Sequence, residues 1–111
     1  MKNIMTIGGQ QAVIAYDPEI EMFRGEFIGL NGGADFYAAD VTGLRSEGEL
    51  SLNAFLEECA KRGVEPRKSF SGRFVLRVSP QVHEAAVTAA ASSGESLNQW
   101  VAEAIKEAIE A

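Results

Sequence analysis

Residues 73–80 constrain the fold of this chain more than any other stretch. Arg73-Phe74-Val75-Leu76-Arg77-Val78 alternates, so Phe74, Leu76 and Val78 share one face and Arg73, Val75 and Arg77 the other. The strand this predicts runs straight into a helix. Ser79 suits the N-cap, and Pro80 suits the first helical position, where its missing N–H is no loss. The helix is expected over 80–93, with Gly94 as its stop. Ser96-Leu97-Asn98-Gln99 is a capping box that opens a second helix running to the end. Val82, Ala85, Ala86, Ala89 and Ala90 make an apolar stripe on the first helix. Leu97, Trp100, Val101, Ala104, Ile105 and Ala108 make one on the second. One strand and two helices in about 40 residues cannot bury a core alone. Two copies that pair strands and interlock helices can. A homodimer or higher homo-oligomer is therefore expected, with Phe74, Leu76, Val78, Trp100, Val101 and Ile105 in its core.

Upstream, the pattern changes. Ala12–Asp17 reads as a strand, Asp17-Pro18-Glu19 as a turn, and Met22–Leu30 as an imperfectly alternating strand with Phe23, Gly25, Phe27 and Gly29 on one side. Asn31-Gly32-Gly33 signals another turn, and Phe36–Ala38 a third strand. A helix follows, with Val41, Leu44, Gly48, Leu52, Phe55, Leu56 and Cys59 at three- and four-residue spacing. Asp40 is placed to cap it and Gly63 to end it. Gly43 and Gly48 weaken its first turns, and Ser46-Glu47-Gly48-Glu49 resembles a capping box, so a start at Ser46 stays open beside Val41. The expected class is α+β: a three-stranded antiparallel sheet plus helix over 1–62, a linker over 63–72, and a strand-helix-helix unit over 73–111.

Composition excludes several functions. The chain has 111 residues, one Cys and one His. An intrachain disulfide and any multi-cysteine metal site are ruled out. Met1–Thr6 is too short for a signal peptide, and no apolar run approaches the ~20 residues of a membrane span, so a cytoplasmic protein is expected.

Charge is segmented. Residues 1–58 carry ten acids and three bases, a net of −7. Residues 59–78 carry Lys61, Arg62, Arg67, Lys68, Arg73 and Arg77 against Glu65, a net of +5. Residues 79–111 carry five acids and one base, a net of −4. This suggests two partners of opposite charge; clustering on a solvated surface is the alternative. A paired strand with arginines alternating on its open face suits the reading of a DNA groove. Lys61, Arg62, Arg67 and Lys68 either touch DNA phosphates or keep the linker soluble.

Catalysis is not expected. Asp17, Glu26, Asp35 and Asp40 invite comparison with a two-metal nuclease, but Asp17 beside Pro18 reads as a turn residue and Asp40 as a cap. His83 has no motif-paired nucleophile and reads as a surface or packing residue. Cys59, on the apolar stripe, reads as buried and inert. No cofactor or metal site is expected.

The strand-helix-Gly-helix order resembles the ribbon-helix-helix family of DNA-binding dimers. The resemblance places Arg73, Val75 and Arg77 at base-reading positions. It places Ser96, Leu97 and Asn98 where free backbone N–H groups clamp a DNA phosphate, consistent with the partial positive charge of a helix N-terminus. Val75 departs from the pattern: it can meet a thymine methyl but makes no bidentate hydrogen bond. The runs Cys59–Phe74 and Leu97–Ala104 resemble the HicB family of antitoxins, in the branch with a ribbon-helix-helix tail. The resemblance covers about 12–111 and is looser before Cys59. It implies a partial ribonuclease-H-like N-terminal domain that neutralises HicA, a small messenger-RNA-cleaving toxin, and a tail that binds the operator DNA of its own operon. The acidic N-terminal half suits a basic toxin, with Glu19, Glu21 and Glu26 as candidate contacts. The alternative is a stand-alone regulator without a toxin, whose N-terminal domain binds a ligand or another protein.

Overall fold

The computed structural model describes residues 3–111. The chain forms two compact units, Met1–Ser71 and Gly72–Ala111.

The first unit is a four-stranded antiparallel sheet with one helix on it. Its strands are β1 (Ile4–Ile7), β2 (Gln10–Asp17), β3 (Met22–Phe27) and β4 (Asp35–Ala38), in the order β1-β2-β3-β4. The three-strand expectation is therefore corrected to four. β1 is joined to β2 by the two-residue turn Gly8-Gly9, across which Ile7 faces Gln10. Both glycines have positive φ, 56° and 77°, which a tight hairpin of matching twist demands. β3 stops at Phe27, short of the expected Leu30, because Gly29 turns the chain at φ 84°.

The helix α1 spans Val41–Arg62. Asp40 caps it by accepting from the Gly43 N–H at 2.6 Å, so the earlier start prevails. Gly63, at φ 67°, ends it, with the Val64 N–H donating back to the Cys59 carbonyl at 3.0 Å. Gly48 is buried where α1 crosses the sheet; a Cβ there would overlap Ile7 and the Phe36 ring. The residue that weakens the helix in isolation thus lets it lie close to the strands. The core holds Ile7, Ala12, Phe27, Leu30, Ala34, Phe36, Ala38, Leu44 and Leu52, with Met5, Ile14, Phe23 and Phe55 against it. The Phe27 and Phe36 rings sit 5.1 Å apart. Cys59 is buried and free. Val41 and Leu56, expected on the same stripe, are exposed.

The second unit is α2 (Pro80–Ser92) and α3 (Leu97–Glu110), packed on each other. Ser79 Oγ accepts from the Val82 N–H at 3.2 Å. Gly94, at φ 72°, makes the turn between the helices. The Glu95 N–H donates to the Ala90 carbonyl at 2.9 Å and the Gly94 N–H to that of Ala91 at 3.1 Å. The capping box at α3 closes in both directions: Ser96 Oγ accepts from the Gln99 N–H, and Gln99 Oε1 from the Ser96 N–H, each at 3.1 Å. Among the described residues no helix is long and apolar enough to cross a membrane.

Candidate nucleic-acid interface

Residues 73–79 precede α2 without forming a helix or a ladder. Among the described residues the strand expected over 73–78 meets no second strand, and a strand needs a neighbour for its N–H and C=O groups. Every residue from 71 to 79 is exposed. Both faces of the alternation are open to solvent: Val75 is 93% exposed, Phe74 72% and Leu76 58%. The helices are in the same condition. Ala90 is the one buried apolar residue of this unit; Leu97, Trp100 and Val101 are half-buried, and Val82, Val87, Ile105 and Ile109 are exposed. The residues expected to form a core are thus on one unit, and a single copy of that unit does not cover them.

Ser96, Leu97 and Asn98 sit at the N-terminus of α3. The Ser96 hydroxyl is committed to the cap. The N–H groups of Leu97 and Asn98 have no acceptor among the described residues, which leaves two donors at the positive end of the helix dipole. Beside them the Glu95 carboxyl is raised above its ordinary value of 4.5. The cause is first desolvation, then a hydrogen bond with Glu103, then the charges of Glu103 and Glu107.

The acidic candidates on the first unit are not brought together. Glu19 and Glu21 lie in the turn between β2 and β3. The Glu19 N–H donates to Asp17 Oδ1 at 3.0 Å, and Glu21 takes the left-handed backbone region at φ 51°. Glu26 lies on β3, four residues beyond Met22, roughly 14 Å along the strand. Its carboxylate is engaged by Arg24 at 3.0 Å, which also binds Asp35 at 2.5 Å. Arg24 holds its proton more tightly than an ordinary guanidinium, chiefly through Asp35, then Tyr37. Asp17, Asp35 and Asp40 are likewise committed to a turn, an ion pair and a cap. Among the described residues no three His, Cys, Asp or Glu side chains converge as a metal set. His83 is exposed in the first turn of α2.

The segment after α1 holds an arrangement that the sequence did not disclose. Asn31 Nδ2 donates to the carbonyls of Glu65 and Arg67, both at 2.9 Å. The Asn31 N–H donates to the Pro66 carbonyl at 2.9 Å, and the Lys68 N–H to that of Gly29 at 2.8 Å. Leu30 and Arg67 form an antiparallel bridge. The turn signal at Asn31-Gly32-Gly33 was legible; a side-chain hook onto a segment 34 residues away was not.

These features define an α+β chain with a self-contained sheet-and-helix unit and a small helical unit whose apolar faces are uncovered. Residues 55–105 match the HicB family. The match takes in the end of α1, the hooked segment, residues 73–79, α2 and most of α3. No curated protein and no solved structure matches the chain.

Proposed function

We propose that the chain is a HicB-type antitoxin that represses its own operon. Two copies pair residues 73–78 into an antiparallel ribbon and interlock their helices. Phe74, Leu76 and Val78 then turn into a shared core, and Arg73, Val75 and Arg77 face the major groove of operator DNA. The Leu97 and Asn98 N–H groups at the α3 N-terminus take a phosphate on each side. The sheet-and-helix unit neutralises a small, basic, messenger-RNA-cleaving toxin of the HicA kind, and the chain itself performs no catalysis.

The observation that carries this reading is the exposure of alternating apolar and basic side chains on 73–78, continuous with helices whose apolar faces are also open. Covering a Phe or Leu side chain contributes about 1.5–3 kcal/mol, so the exposed faces supply a strong drive to pair. The family match over the same residues agrees with it.

The test is binding to the DNA upstream of the gene. Replacing Arg73 and Arg77 by alanine should cost roughly 1–3 kcal/mol for each base left unread and erase the preference over a shuffled duplex. If the double variant keeps both affinity and preference, 73–78 is not the reader. The toxin arm is tested by capture of the neighbouring gene product with residues 1–68. Capture only by the tail would leave the stand-alone regulator as the better reading.

A further inference from the structure

We propose that Arg67 and Lys68 form a fixed arm that grips the DNA backbone beside the groove, and that Asn31 is the residue that positions it. The inference rests on the DNA-binding reading above and adds to it a second, sequence-independent contact on the other unit.

The first ground is which cations are already engaged. Arg24 is bound by Glu26 and Asp35, Arg62 pairs with Glu58 at 3.0 Å, and Arg45 donates to the Thr6 carbonyl at 3.1 Å. Among the described residues the side chains of Lys61, Arg67 and Lys68 make no ion pair or hydrogen bond. Among the described residues of the first unit, Arg24 and Arg62 are thus ion-paired and Arg45 is tied to a carbonyl, while the cations without a partner lie at Lys61, Arg67 and Lys68, on the approach to residue 73. Glu65 is the one acid in that approach.

The second ground is order. A soluble linker leaves its backbone to water. Here four hydrogen bonds, two of which make the Leu30–Arg67 bridge, tie 65–68 to 29–31, while the Arg67 and Lys68 side chains remain exposed. A charge on a backbone that is already fixed loses less freedom on binding than one on a free tether. The Asn31 side chain, bound to carbonyls on both sides of Pro66, holds this geometry.

The third ground is reach. Five Cα steps separate Lys68 from Arg73, so the two lie within about 18 Å however the units are arranged. A ribbon in a major groove about 12 Å wide is flanked by phosphates on both sides. A two-fold dimer carries two such arms, one for each backbone. The arm also offsets the net −7 of residues 1–58, which DNA would otherwise repel.

The experiment measures binding of the full chain to two duplexes between 50 and 200 mM salt. One is the DNA upstream of the gene, the other a shuffled duplex of equal length. R67A/K68A should weaken both by the same factor and flatten the plot of log affinity against log salt by roughly 0.9 for each phosphate no longer neutralised. Its preference for the upstream duplex should be unchanged. Asn31→Ala keeps both cations but frees the backbone. It should lower affinity for both duplexes several-fold and speed tryptic cleavage after Arg67 and Lys68. An R67A/K68A chain with the parental salt slope overturns the arm. An Asn31→Ala chain that is cut faster yet binds as the parent does overturns the positioning role. A parent that binds neither duplex overturns the DNA reading itself, and the arm with it.

Discussion

At the scale of single residues, two positions make opposite demands. Gly48 trades helix propensity for proximity. Alanine would gain about 1 kcal/mol in helix propensity, but its methyl would enter space held by Ile7 and Phe36, and Ile7 is 1% exposed with no room to yield. Overpacking of this kind costs about 1–3 kcal/mol. Gly48→Ala is therefore expected to lower the urea midpoint of the sheet-and-helix unit, and a raised midpoint would show that α1 can lift off the sheet cheaply. Glu95 makes the other demand. Its folded-state pKa is raised, so folding favours the protonated carboxyl. The stability linked to this group is fully present below the ordinary carboxylate pKa and is lost as pH rises through the raised one. Glu95→Gln should therefore stabilise the helical unit at pH 7, and the difference from the parent should vanish below about pH 4. A difference that persists unchanged into acid would assign the effect to something other than charge.

At the scale of elements, the caps and stops were legible because each is a local sequence event. Asp40, Ser79, Ser96, Gly63 and Gly94 all act within a turn of their own position. The strand Ile4–Ile7 is only four residues long, too short for alternation to mark it, and only the Gly8-Gly9 turn that pairs it with β2 signals it in the sequence. Helical period alone placed Val41 and Leu56 on the buried stripe of α1; how wide that stripe runs depends on the sheet beneath it, which period does not encode. The Asn31 hook was beyond reach for the same reason, since its partners lie in another part of the chain. Residues 73–78 are the case where pattern and single-chain structure differ: the alternation is present and the ladder is not. If the ribbon forms between copies, the amides of this stretch should exchange slowly with solvent at concentrations where the chain is dimeric and quickly on dilution. Fast exchange in a dimer would place the interface elsewhere.

At the scale of the whole molecule, the two units divide the problem of stability. The sheet-and-helix unit encloses its own core, while the helical unit buries one apolar residue, Ala90, and leaves Phe74, Leu76, Val78, Val82 and Ile109 exposed to water. Serine at Phe74 and Leu76 separates the two accounts of those residues. In a single chain both are mostly exposed, at 72% and 58%, and their replacement would cost almost nothing. In a paired ribbon they are core residues, and each polar truncation removes burial worth about 1.5–3 kcal/mol, felt twice across a two-fold axis. The full chain carrying F74S/L76S is therefore expected to sediment as a monomer where the parent is a dimer. It should lose DNA binding with every basic residue still in place, and keep the unfolding transition of the first unit. Capture of the neighbouring gene product by the first unit should also survive, because that unit holds its structure without the ribbon. A variant that stays dimeric and still binds DNA would show that the copies meet through another surface, such as the exposed side of α2 or the open edge of β1.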